Sequence, residues 1–202
     1  MRRSLGFLTV ATLLLAACAQ SGGTLPPASS PQAFAPMRAA SGYRVVYNFQ
    51  RAPDATFPSG PLVSIGGTLY GTTAQGGSHN GGTLYSISAS GKESIVHSFS
   101  GYTASYGGPP SEPTGLTTIG GSIYGMTAYG GSGGCTDRGV RIGCGTLFSY
   151  TPGGSVRTIY NFSLATALPL ALASGNGKLY GATGSYVFST TTSGTFRTIY
   201  KF

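Results

Sequence analysis

From Tyr43 onward the chain runs through short stretches rich in Thr, Val, Ile, Tyr and Phe, divided by Gly-rich breaks. Stretches of about five to eight residues with breaks of this kind predict strands, and no stretch carries a helical period with caps. The first four strands are expected near 62–65, 68–73, 83–88 and 94–99. Gly66-Gly67 and Ser90-Gly91 read as tight hairpin turns, and 75–81 as a longer Gly-rich loop. The same order returns at about 115–119, 122–127, 146–151 and 155–162, and again at about 168–173, 178–183, 186–191 and 195–202.

The return is visible residue by residue. Leu69-Tyr70-Gly71-Thr72-Thr73 reappears as Ile123-Tyr124-Gly125-Met126-Thr127 and as Leu179-Tyr180-Gly181-Ala182-Thr183. Gly82-Thr83-Leu84-Tyr85 is matched by Gly145-Thr146-Leu147-Phe148 and, more loosely, by Ser185-Tyr186-Val187-Phe188. Each copy closes on an aromatic pair: His97 and Phe99, Tyr160 and Phe162, Tyr200 and Phe202. Units repeated in this way bury their faces against neighbours. The closing strands carry apolar residues on both sides, as strands covered on both faces do, and four antiparallel strands are the unit of a propeller blade. The small residues Gly71, Gly125 and Gly181 are expected to let another blade or backbone approach.

The sequence therefore predicts an all-β, propeller-like array of about three four-stranded antiparallel blades. An extra N-terminal strand over Tyr43–Phe49 reads as the last strand of a blade whose first three are absent. Closed propellers hold four to eight blades, so the array is expected to be open or incomplete.

Residues 1–17 read as a lipoprotein signal peptide. Arg2 and Arg3 precede an apolar run from Leu5 to Leu15 that is too short for a membrane span. The run ends in Leu15-Ala16-Ala17-Cys18, the form of a lipobox, which makes Cys18 the expected lipidation site and a lipid anchor the expected membrane contact. Residues 18–42 hold the lipidated Cys and a tether rich in Pro, Ser and Ala, and residues 43–202 the repeat domain. With Cys18 lipidated, Cys135 and Cys144 remain as an even pair within one Gly-rich insertion, and a disulfide closing that loop fits an oxidising compartment. A metal site is the rival, but the loop offers no His and only Asp137, short of what zinc needs.

Ser59-Gly60-Pro61-Leu62, Leu69-Tyr70-Gly71-Thr72-Thr73, Gly76-Gly77, Gly82-Thr83-Leu84-Tyr85 and the closing Phe99 together resemble the Gloeo/Verruco (GloVer) tandem repeat. The resemblance covers about 43–202 and is weaker in the third copy, where Gly184-Ser185 stands in place of the long loop. It implies an exported or surface-anchored bacterial protein with propeller-like repeats, and it brings no catalytic residues. Ala19-Gln20 after the lipobox lacks the Asp that retains lipoproteins at the inner membrane, so the resemblance implies an outer-membrane or cell-surface address, with a periplasm-facing one as the variant.

Formal net charge is +8, from 12 basic and 4 acidic residues. With Arg2 and Arg3 of the signal peptide set aside, the cations are scattered, with Arg138 and Arg141 the close pair, so no nucleic-acid patch is expected. The carboxylates are Asp54, Glu93, Glu112 and Asp137, and the histidines His79 and His97. His97 takes the place of a recurring Tyr and reads as a packing residue. His79 has no carboxylate or thiol near it in sequence, so no catalytic residue, metal or cofactor is assigned. Tyr70, Tyr124 and Tyr180 invite sugar stacking, but a Tyr recurring at one structural position reads more simply as blade packing. Binding is expected on the loops 75–81 and 130–145, which occupy equivalent places and form one rim. The candidate rim residues are Gln75, His79, Asn80, Arg138 and Arg141. The expected function is that of a non-catalytic, envelope-tethered binding module for a glycan, an envelope component or a protein. The alternatives are a structural arc that self-associates and, more distantly, a propeller lyase or hydrolase.

Overall fold

A computed structural model describes residues 42, 44–50, 54–100, 111–137, 139–163 and 169–202. The signal peptide, Cys18 and most of the tether, like Arg138, lie outside the described residues. The described residues are all-β and contain no helix.

Three four-stranded antiparallel sheets follow one another along the chain. The first takes β1 (Ala55–Ile65), β2 (Thr68–Gly76), β3 (Thr83–Ile87) and β4 (Glu93–Ser98) in sequence order. The second takes β5 (Ser111–Ile119), β6 (Ser122–Tyr129), β9 (Thr146–Tyr150) and β10 (Arg157–Asn161). A separate ribbon, β7 (Thr136–Asp137) with β8 (Val140–Arg141), sits in the insertion between β6 and β9. The third takes β11 (Pro169–Gly175), β12 (Lys178–Thr183), β13 (Tyr186–Thr190) and β14 (Phe196–Lys201). This is the open, propeller-like arrangement that the threefold pattern predicts. The leading strand β5 packs against both β1 and β11, so the first strands of the three sheets face a common interior.

Each leading strand starts earlier than the sequence suggests, or is broken by a bulge. Pro58, Pro113 and Pro169 pair with Thr73, Thr127 and Thr183, and the register then shifts before pairing resumes. Gly60 and Gly115 take positive φ (80° and 39°) at these shifts. An irregularity of this kind interrupts the two-residue alternation that marks a strand, which is why the sequence places β1 and β5 several residues too late.

The core lies between sheets. Phe99 from the first sheet is buried with Ile123, Phe148 and Tyr150 of the second. Phe162 from the second is buried with Leu179, Tyr186 and Phe188 of the third. Tyr70 and Tyr124 are buried in the same layers, and the Tyr70 ring lies 6.1 Å from that of Tyr150. Packing is therefore the role of these tyrosines.

The glycine after each Tyr has a different role from the one expected. Gly71, Gly125 and Gly181 face Tyr85, Phe148 and Phe188 across the ladder within their own sheets. A Cβ at any of the three would occupy the place of that ring. The close approach they permit is that of an aromatic ring from the next strand, and not of another blade's backbone.

The expected N-terminal strand is corrected. Residues 44–50 make no strand ladder. Tyr47 and Phe49 instead pack against buried Tyr85 and Ile87 of the first sheet. The strand-like composition of this segment serves a side-chain contact and not backbone pairing.

Candidate functional site

The rim loops hang from a repeated hydroxyl pair. Thr73 and Thr83 are fully buried, with their oxygens 2.8 Å apart; Thr127 and Thr146 repeat this at 2.9 Å. The Thr73 hydroxyl donates to the Gln75 carbonyl (2.8 Å), and that of Thr127 to the Tyr129 carbonyl (3.0 Å). Each hydroxyl has a single proton to give, so Thr83 and Thr146 must donate within the pairs. The backbone N–H groups of Thr83 and Thr146 donate back to the same oxygens at 3.1 and 3.0 Å. A buried polar centre this fully satisfied fixes where each loop leaves its sheet. In the third copy Thr183 instead accepts from the backbone of Ser185 and Tyr186, both at 3.2 Å, and closes a tight turn.

Both long loops are then anchored at equivalent points. Ser78 N–H donates to Ser98 Oγ at 3.3 Å, and Ser132 N–H to Asn161 Oδ1 at 3.2 Å. Ser98 and Asn161 both precede a closing Phe.

Of the candidate rim residues, Gln75 lies near the end of β2, paired with Thr56, and His79 and Asn80 lie in the loop that follows; all three are exposed. His79 Nδ1 lies 2.9 Å from Ser78 Oγ. Asn80 shapes the loop: it adopts φ 54°, and its Oδ1 accepts from Gly76 N–H at 3.0 Å. Arg141 is exposed on the ribbon of the second loop, paired in register with Thr136. The disulfide Cys135–Cys144 closes that ribbon with its Cα atoms 5.0 Å apart, and Cys144 is wholly buried in the core beneath. The loops thus occupy equivalent places on neighbouring sheets, one carrying His79 and the other Arg141.

A second feature was not anticipated. Ser59, Gly60, Pro61, Thr114 and Gly115 line an inner cavity of about 360 Å³ with residues 170–172 of β11. The interrupted strand starts build it. Gly60 lies close to the backbone of Gly115, and Gly115 close to the backbone of Leu172, so the three leading strands converge where two of them carry glycine. Thr72 ties its hydroxyl to the Ser59 carbonyl (2.8 Å). Thr114 Oγ1 is buried without a hydrogen-bond partner among the described residues. The sequence signal was the recurring Pro-Ser-Gly, Pro-Thr-Gly and Pro-Leu-Ala, hidden because the bulges break strand alternation. The lining offers the Ser59 side chain, backbone and aliphatic carbon, and no titratable side chain, while the Thr114 hydroxyl is shielded beneath it.

Asp54 is spent on structure. Asp54 Oδ2 accepts from the Tyr47 hydroxyl (3.0 Å) and Gln50 N–H (2.7 Å), and Oδ1 from Ala55 N–H (2.7 Å). Burial, then the Asp54 charge, pushes the Glu93 carboxyl up. Burial likewise raises Glu112 and lowers His97, whose ring packs edge-on against Phe99 at 4.8 Å. His97 therefore serves as a packing residue.

No family model matches the chain, and no curated protein does.

Proposed function

We propose that this protein is a non-catalytic binding module of the bacterial cell envelope, built of GloVer-type repeats and held by a lipid on Cys18. The observation that carries the reading is the contrast between frame and loops. The Thr73–Thr83 and Thr127–Thr146 pairs are spaced almost identically, at 2.8 and 2.9 Å, yet they support loops of different length, charge and cross-linking. A constant scaffold that presents variable exposed loops is the arrangement of a recognition surface. The cavity between β1, β5 and β11, with the Ser59 side chain and backbone groups, suits a neutral, hydroxyl-rich ligand such as a glycan. His79 and Arg141 on the loops add polar and cationic contacts for an envelope component.

The test is direct. The full-length protein is incubated with isolated envelope polysaccharide, and retention is measured by sedimentation. Retention that falls with His79→Ala together with Arg141→Ala, or with Ser59→Ala in the cavity, supports the reading. Equal retention of all variants and of an unrelated lipoprotein refutes it. Anchoring is tested separately: Cys18→Ser should leave the signal uncut or release the protein from membranes.

A further inference from the structure

Four segments share one closing motif: Val46 to Phe49, Val96 to Phe99, Ile159 to Phe162 and Ile199 to Phe202. In all four the two rings meet edge-on at nearly one spacing. The centroids are 5.1 Å apart for Tyr47–Phe49, 4.8 Å for His97–Phe99, 5.3 Å for Tyr160–Phe162 and 5.4 Å for Tyr200–Phe202. The chain thus builds the same aromatic plug four times.

Three of the plugs have a seat. Phe49 lies 4.9 Å from Tyr85, Phe99 5.2 Å from Phe148, and Phe162 5.6 Å from Phe188. The seat is always the third-strand aromatic of the following sheet, held over its cross-strand glycine. The backbone repeats the fit: Gly91 sits against the Val46 carbonyl, and Gly194 against that of Ile159. The fourth plug has no seat among the described residues. Phe202 is 79% exposed, Tyr200 60% and Ile199 53%. Burying such a surface is favoured by about 25 cal/mol per Å².

The first seat holds the weakest occupant. Residues 45–50 belong to no sheet, so their backbone must be ordered at its own entropic cost. The strand β14 is already ordered by its ladder to β13, from Tyr186↔Lys201 to Thr190↔Phe196. A preordered plug binds with less entropic loss. The tethered plug has the advantage of high effective concentration, which favours it when the protein is dilute.

We propose that two copies of this chain join head to tail, with β14 of each entering the seat on the other's first sheet that residues 45–50 fill in the single chain. In the exchange Phe202 replaces Phe49 over Tyr85, Tyr200 replaces Tyr47 beside Asp54, and the Ile199 carbonyl meets Gly91. Two arcs of three four-stranded sheets then supply six, within the four to eight of closed propellers. The proposal is independent of ligand binding, and its failure leaves that reading standing.

The experiment is light-scattering mass measurement of the full-length protein over a wide concentration range. The expected result is a monomer that becomes a dimer as concentration rises. Phe202→Ala should move the midpoint up by about tenfold or more, the usual scale of losing a buried aromatic anchor. Phe49→Ala should move it down, because the seat is vacated; the same residue type at the same motif position thus has opposite effects. The chain contains no Trp, so Phe202→Trp gives an independent optical reading, with emission shifting to the blue as the dimer forms. A monomer at every concentration, open chains larger than a dimer, association indifferent to Phe202→Ala, or a Phe202→Trp dimer whose emission stays that of an exposed indole would each overturn the proposal. The Phe202 variants alter an exposed side chain, so they remain informative should Phe49→Ala fail to fold.

Discussion

The ring of Phe99 in the first sheet's closing segment lies 5.2 Å from the ring of Phe148 in the second sheet, and both are buried. This contact, and its copy between Phe162 and Phe188 at 5.6 Å, joins one sheet to the next. The units have no private core, so the stability of the array rests on such junctions.

Phe99→Ala should therefore cost about 3–5 kcal/mol, the range for emptying a buried aromatic site. Phe202→Ala, in the same motif but exposed, should change monomer stability by about 0.5 kcal/mol or less. Urea unfolding of dilute protein checks both. Equal losses for the two variants would mean that the junction is not what holds the sheets together.

The glycines that carry the cross-strand rings give a second contrast. Gly125→Ala places a methyl group where the Phe148 ring lies, and overpacking of this kind costs about 1–3 kcal/mol. Gly175→Ala meets only the edge of Tyr180 at 3.7 Å, ordinary contact, and should be near neutral. Phe148→Leu should relieve part of the Gly125→Ala defect in a double-mutant cycle. Strictly additive losses would show that ring and glycine do not share the space.

The threefold motif made the sheets legible in the sequence, because Tyr70-Gly71 and its copies mark the second strand and the closing aromatics mark the fourth. The disulfide was legible too, since Cys135 and Cys144 share one insertion. What stayed hidden was set by tertiary geometry. The starts of β1 and β5 were lost because Gly60 and Gly115 turn the backbone within the strand. The inner cavity was lost with them, because it is built from those bulges. Residues 44–50 carry the composition of a strand, but pairing needs a neighbouring backbone, and composition does not reveal whether one is in place. The ligand is not legible, because the two equivalent loops share Gly-Gly-Ser at their start and then no side-chain pattern that would mark a common contact.

Acid should act through His97 and Glu93 in opposite directions. Burial lowers His97 below its ordinary 6.5, so the unfolded chain takes up this proton first. The stability held by neutral His97 is full above about pH 6.5 and is lost as pH falls below it. Glu93 is raised above its ordinary 4.5, so the fold holds that proton more tightly than the unfolded chain. Its contribution is full below about pH 4.5 and is lost as pH rises through the folded value. His97→Tyr, the residue at the equivalent positions 47, 160 and 200, should flatten the loss of stability just below pH 6.5. Glu93→Gln should stabilise the protein more at about pH 7 than at about pH 4. Melting curves across this range decide both, and a Glu93→Gln gain that grows toward acid would reverse the assignment.

The bond between Cys135 and Cys144 closes a short segment with a sequence separation of 9, for which chain entropy gives about 2–3 kcal/mol of stabilisation. The ribbon β7–β8 is only two residues long on each side, too short to hold its register unaided. Reduction should therefore open the ribbon, while the Thr127–Thr146 pair beneath keeps the second sheet intact. Trypsin cuts after Arg, and Arg138 and Arg141 both lie between the cysteines. In oxidised protein these sites should resist digestion, and a cut at either would leave the two pieces joined by the disulfide. In reduced protein, cleavage there should precede all other cleavage within 54–202 and yield two separate fragments with the sheets' far-UV signal largely retained. Cleavage at Arg157 or Arg197 first, or loss of the whole β signal on reduction, would show that the staple supports the sheet itself and not only its loop.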